Sequence, residues 1–173
     1  MDKQYPIGNF DYDAVVSDEQ LKKAIEEIKS LPKRIENELY YAESDQLNTP
    51  YREGGWTVKQ VVHHLGDSHM NALIRFKLTL TEDNPTIKPY DEMAWSGLAD
   101  YVKVPIQDSL EFIKIIHAKW GAILDDMYDA DFERTFIHPE GGYPATLRGA
   151  TALYAWHGNH HLAHIQLVTK PNN

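Results

Sequence analysis

Apolar residues recur at three- and four-residue intervals in four separate stretches of this chain, and nowhere do they alternate convincingly in a strand-like period of two. That pattern points to helix packed on helix. The first stretch, residues 17–42, opens with Ser17-Asp18-Glu19-Gln20, a serine followed three residues later by glutamine, which is a capping-box start. Leu21, Ala24, Ile25, Ile28 and Leu31 follow at helical spacing, and Pro32 predicts a kink or a restart. The second, about Thr57 to Thr81, carries Val58, Val61, Val62, Leu65, Leu73, Phe76 and Leu80 on one face. The third spans roughly 107–128, with Leu110, Ile113, Trp120, Ile123 and Leu124 as core positions, and the fourth about 146–169. Residues 43–56 read as a loop, and so do residues 129–145, where Gly141-Gly142 leaves room for a short hairpin. Residues 82–106 hold Pro85, Pro89, Gly97 and Pro105 with little helical period, and a connection that long is usually functional or mobile. The expectation is an all-α four-helix bundle, one domain over residues 1–173, whose long second connection makes it something other than a simple up-down bundle.

At 173 residues the chain is long enough for one domain with a real core. Its formal net charge of −9 repels phosphate backbones and anionic lipid, so neither nucleic acid nor membrane is an expected partner. The N-terminal residues lack the pattern of a signal peptide, and no apolar run could span a bilayer, so the expected compartment is the cytoplasm. There are no cysteines, which excludes disulfides, thiolate ligands and a cysteine nucleophile. Any transition-metal site must therefore be built from imidazole and carboxylate.

Nine histidines make such a site plausible on composition, and their spacing sharpens it. The segment Trp156-His157-Gly158-Asn159-His160-His161-Leu162-Ala163-His164 contains two pairs four residues apart, His157/His161 and His160/His164. Residues at that spacing lie one turn apart on one helix face, close enough for two rings to reach one ion. Ala150, Leu153, Tyr154, Ile165 and Val168 define the apolar face, and His157 and His161 fall roughly 20° either side of its middle. His164 lies near the edge of that centre and His160 further round. Two inward rings need partners, because an unpaired buried polar group costs about 1–3 kcal/mol. Backbone hydrogen bonds would satisfy them, and so would a shared cation. The second helix offers His63, His64 and His69. Periodicity places His69 at the centre of its apolar face, His64 about 120° away and His63 further toward solvent, so periodicity alone selects His69 as the third ring.

The segment from Pro50 to Asn71, with Trp56, His63-His64-Leu65-Gly66-Asp67 and His69, closely resembles the YfiT family of metal-dependent hydrolases, within the DinB-like superfamily of four-helix bundles. The resemblance continues through Ile74 to Leu78, Thr81-Glu82-Asp83, Pro89 to Glu92 and Trp95, and resumes at His138-Pro139 and from Tyr154 to Ile165. In that superfamily one histidine of the second helix and two of the last hold a divalent metal. The second-helix pattern, a tryptophan eight residues before the ligand and Leu-x-Asp after it, matches Trp56, His64, Leu65 and Asp67. The last-helix pattern, His-x-x-His-His, matches His157, His160 and His161, with its first and fifth positions as ligands. The resemblance therefore implies a metal site of His64, His157 and His161, against the periodicity at His69.

Where relatives carry Arg-Gly-Gln after the last ligand, this chain has Leu162-Ala163-His164. The family also implies a homodimer and a small-molecule substrate. Zinc is the ion expected in the cell, with nickel able to occupy the site in a purified sample. Three imidazoles with a position left open are a catalytic arrangement. A dication held this way lowers the pKa of bound water toward about 7, which gives a hydrolase. It also stabilises a bound thiolate, which gives the thiol S-transferase activity of bacillithiol-using relatives. The third reading is a metal-binding domain without catalysis. No general acid or base is assigned. Asp67, one turn from His64, is the nearest carboxylate, with His69, Tyr90 and Asp91 behind it. Arg52 and Arg75 are suited to an anionic substrate but are expected in surface ion pairs, and Trp56, Trp95, Trp120 and Trp156 are expected in the core.

Overall fold

A computed structural model describes residues 2–141 and 144–170; Gly142 of the expected loop lies outside them. The elements in chain order are α1 (Asp18–Leu39), α2 (Ser44–Leu47), α3 (Val58–Thr81), α4 (Glu92–Ser96), α5 (Asp100–Lys103), α6 (Ile106–Asp126), α7 (Asp129–Phe132), β1 (Thr135–Ile137), β2 (Pro144–Thr146) and α8 (Leu147–Thr169). The four long helices are those the periodicity marks, with ends shifted by up to three residues. Each starts where a cap is available or φ is preset. Ser17 and Thr57 form capping boxes with Gln20 and Gln60, Thr146 Oγ1 accepts from the Gly149 N–H, and Pro105 precedes α6. The chain does not restart at Pro32, because α1 continues across it.

The long helices form a square in which α1 packs on α6 and α8, and α3 packs on the same two. Cross-links between named residues set their directions. His63 bonds Ser109 and His69 bonds His117, so α3 and α6 run parallel. Arg148 reaches Asp18, Asn159 reaches Glu27 and Gln166 reaches Glu38, so α1 and α8 run parallel too. Arg75 meets Tyr154 while His64 meets His157, so α3 and α8 are antiparallel. Two parallel neighbours cannot be joined by a tight turn, which is why α3 and α6 need the long connection over residues 82–106. That connection is more ordered than its composition suggests. It carries α4 and α5, both packed on α3, and Ile137 accepts from the Ile87 N–H and donates to the Pro85 carbonyl, which ties its start to the β1–β2 hairpin.

Two apolar clusters fill the bundle. One gathers Ile28, Leu73, Phe76, Trp120, Leu147 and Tyr154, and the other Leu31, Ile35, Val61, Leu65, Ile113 and Ile165. Between them, at the level where Ile28 gives way to Leu31, runs a belt of histidines: His64, His69, His117 and His161, all buried, and His157, half-buried. None of the helices among the described residues is long and apolar enough to cross a membrane.

Candidate metal centre

His64 on α3 faces His157 and His161 on α8, and one ring nitrogen from each lies within 4.8 Å of the other two. The Nε2 atoms of His64 and His157 are 3.3 Å apart. Nitrogens bound tetrahedrally to one ion at about 2.0–2.1 Å sit roughly 3.3–3.4 Å from each other. That spacing suits a metal as well as it suits a hydrogen bond.

The outer hydrogen bonds decide which ring nitrogens carry protons. Burial holds His64 and His117 at about 4 and pushes His69, His157 and His161 well below the ordinary histidine range, so all five rings are neutral at pH 7. A neutral imidazole has one N–H and one lone pair. The Ile28 carbonyl can only accept, so His117 donates to it from Nδ1 (2.6 Å) and accepts at Nε2. His69 then donates from Nδ1 to His117 Nε2 (2.7 Å) and accepts at Nε2 from His157 Nδ1 (3.2 Å). His157 is left with a bare Nε2 lone pair facing His64.

A second chain does the same for the neighbouring ring. His164 donates from Nε2 to the Gln4 carbonyl (3.2 Å), so its Nδ1 accepts from His161 Nδ1 (3.3 Å), and His161 Nε2 is free. Both α8 rings thus present Nε2 lone pairs, the form a metal requires. His64 turns its Nε2 to the same space, while its Nδ1 is buried without a partner among the described residues. A cation at this point would be met by the Nε2 lone pairs of His157 and His161 and by His64 Nε2.

Pro32 explains how the first chain is anchored. A proline has no N–H for the carbonyl four residues back, which in α1 is that of Ile28. The freed oxygen is the one His117 uses.

The remaining residues fall into place around this core. His69 is not in the three-ring cluster; it is fully buried behind His157. His63, expected nearer solvent, is buried against α6, where its Nδ1 meets Ser109 Oγ at 2.6 Å. His160 stacks on Trp156 at 4.6 Å, outside the cluster. Trp56 is only half-buried and lies over His64, with ring centroids 4.6 Å apart, so it walls the cluster. Asp67 accepts from Tyr101 Oη at 2.7 Å, and burial raises its pKa. It makes no bond to His64 and so does not orient that ring. Burial lifts the Tyr90 hydroxyl to about 12, and Asp91 caps α4. Arg52 lies over the Tyr51 ring and donates to the Glu53 carbonyl. His117 escaped the reading from sequence, although its spacing from Ile113 and Trp120 puts it on the apolar face of α6 and was a usable signal.

Fold and site together define a class: a four-helix bundle with a three-histidine cluster between two antiparallel helices. The family model described as the DinB superfamily matches residues 20–165, and the chain belongs to that superfamily. It is 48% identical to a "putative metal-dependent hydrolase" of Oceanobacillus iheyensis, with 98% of each chain covered. It is 50% identical to a protein of the same name from Bacillus mycoides, over 95% of this chain and 94% of the relative. Among solved structures it matches YfiT from Bacillus subtilis with a TM-score of 0.93 and 44% identity, covering 99% of this chain and 98% of the other. YfiT is described as "a probable metal-dependent hydrolase with an unusual four-helix bundle topology".

Proposed function

We propose that this protein is a metal-dependent hydrolase of small molecules, in which His64, His157 and His161 hold one divalent ion and leave a coordination position open. The observation that carries the reading is the cluster of three neutral rings, two of them fixed by outer hydrogen bonds with Nε2 lone pairs turned inward. A bound dication supplies Lewis acidity at the open position, polarising a substrate oxygen and acidifying water. The chain's own part is to hold the rings. His69 and His117 position His157, His164 positions His161, and Trp56 shields His64 from solvent. Imidazole donors suit zinc, which we assign in the cell, and nickel would bind the same set. The relatives that carry the hydrolase name add weight to hydrolysis over metal storage.

Metal analysis of purified protein and of single variants tests the ligand set. One equivalent is expected in the parent, with near-complete loss in His64→Ala, His157→Ala and His161→Ala. Full occupancy in any of the three removes that residue from the site. A screen of esters and amides, run with and without a low-molecular-weight thiol, tests the chemistry. Turnover that requires the thiol would replace hydrolysis with S-transfer, for which bacillithiol is the candidate co-substrate.

A further inference from the structure

Arg75 lies well inside α3 rather than at a helix end, and the ion pair expected of it from sequence is absent. Among the described residues no carboxylate lies within 4.0 Å of its guanidinium, in a chain with 26 acidic side chains against 17 basic ones. Arg148, by contrast, has both Asp18 and Glu133 within 3 Å. Arg75 Nη1 donates to Tyr154 Oη at 2.7 Å, while Nε is buried with no partner. The Nε and Nη2 donors form the side-on fork that matches the two oxygens of a carboxylate. Tyr154 therefore fixes the guanidinium by one corner, and among the described residues nothing pairs with its Nε.

Arg75 is among the residues that line a cavity of about 630 Å³, within the range of small-molecule sites, whose walls also include Phe10, Tyr12, Phe136 and His138. Asp11 and Glu140 also line it but do not pair with Arg75. Along α3, His64, Ser68, Asn71 and Arg75 recur at spacings of four, three and four, so they share one face. On α8, Tyr154 lies one turn before His157, with ring centroids 6.3 Å apart. The Arg75–Tyr154 pair thus links the same two helices, α3 and α8, that carry the histidine cluster.

We propose that this cavity takes a carboxylate-bearing substrate, whose acid group is held by the Arg75 guanidinium, three helical turns along α3 from His64. The proposal rests on the metal-dependent reading for what happens at the other end of the substrate. The carboxylate site itself is independent of it. Leaving a partly buried guanidinium without a counter-charge costs stability. A ligand carboxylate supplies that charge together with charge-assisted hydrogen bonding, and the apolar walls accept the body of the molecule.

The test uses zinc-loaded protein and two matched probes, phenylacetate and its neutral amide, phenylacetamide. The ¹⁵N–¹H signal of Arg75 Nε, assigned by its absence in Arg75→Lys, reports on the guanidinium. Phenylacetate should shift that signal and bind at least tenfold more tightly than the amide. Arg75→Gln should abolish the preference. Should that variant fold poorly, the Nε signal and the probe pair in the parent still decide. Equal binding of the two probes overturns the proposal. So does a preference that survives Arg75→Gln, which would assign the acid to the metal. In His157→Ala, loss of metal with retained phenylacetate binding supports the Arg75 site, whatever becomes of the hydrolase reading.

Discussion

A histidine binds metal through one nitrogen, and in this protein the choice of ring nitrogen is set two or three residues away from the cluster. The chains His157–His69–His117–Ile28 and His161–His164–Gln4 both end on a backbone carbonyl. A carbonyl accepts a hydrogen bond but does not take up the proton at neutral pH. The chains are therefore suited to locking tautomers rather than to conducting protons. Removing an outer partner of a metal-binding histidine typically costs about 10–100-fold in affinity. His69→Ala and His164→Ala are expected to weaken zinc binding by that factor, while His160→Ala leaves it nearly unchanged. Competition with a chelating dye measures this. In the zinc-loaded parent, ¹⁵N spectra should show His157 and His161 protonated at Nδ1, and coordination through Nδ1 at either ring would refute the lock. The conflict at His69 also finds its cause here. A helical wheel ranks residues by burial, and His69 is the more buried because it lies between the two apolar clusters. His64 sits to the side, where α3 turns toward α8. The wheel found the inward rings but could not tell which neighbouring helix each would meet.

Pro32 shows how one position in an element can serve the site. Read from sequence it is a break, yet α1 crosses it, and the carbonyl it leaves free becomes the end of the His117 chain. Replacing it restores an N–H aimed at the Ile28 oxygen. Proline inside a helix costs about 3 kcal/mol relative to alanine, part of which the surrounding packing has already absorbed. Pro32→Ala should therefore raise stability by roughly 1–3 kcal/mol in urea unfolding and, because the new N–H competes with His117, lower zinc affinity severalfold. A variant that is more stable with unchanged affinity would show that the freed carbonyl is dispensable. The long helices were legible because each carries many apolar repeats, and the capping box at Ser17 fixed one of their starts. The short α2, α4, α5 and α7 were not, since four or five residues cannot display a helical period. The parallel pairing of α3 with α6 was foreshadowed only by the length of residues 82–106, and the direction of packing came from contacts such as His63 with Ser109.

At the scale of the whole molecule, a bundle whose mid-section is a belt of neutral histidines should be sensitive to acid. His64 and His117 are held at about 4, and His69, His157 and His161 well below the ordinary value of 6.5, burial being the largest cause for each. The folded pKa values are depressed, so the unfolded chain binds protons first as the pH falls. The stability these rings carry is fully present above about pH 6.5, and it is lost between there and about pH 4. Each ring gives up on the order of 1 kcal/mol for a pH unit below 6.5, so five together remove roughly 5–7 kcal/mol by about pH 5.5. That is comparable to the whole stability of an ordinary domain. Metal-free protein should accordingly unfold cooperatively between about pH 6 and 5, well above the range in which carboxylates titrate. A bound ion stabilises the folded state alone, by an amount that grows with the ratio of its free concentration to Kd. Saturating zinc should therefore move the midpoint downward by a pH unit or more in the parent, and not in His161→Ala. Circular dichroism followed through a pH titration measures both. A metal-free midpoint below pH 4 would mean that the belt takes up protons without opening the bundle, and a midpoint indifferent to zinc would separate the belt from metal binding.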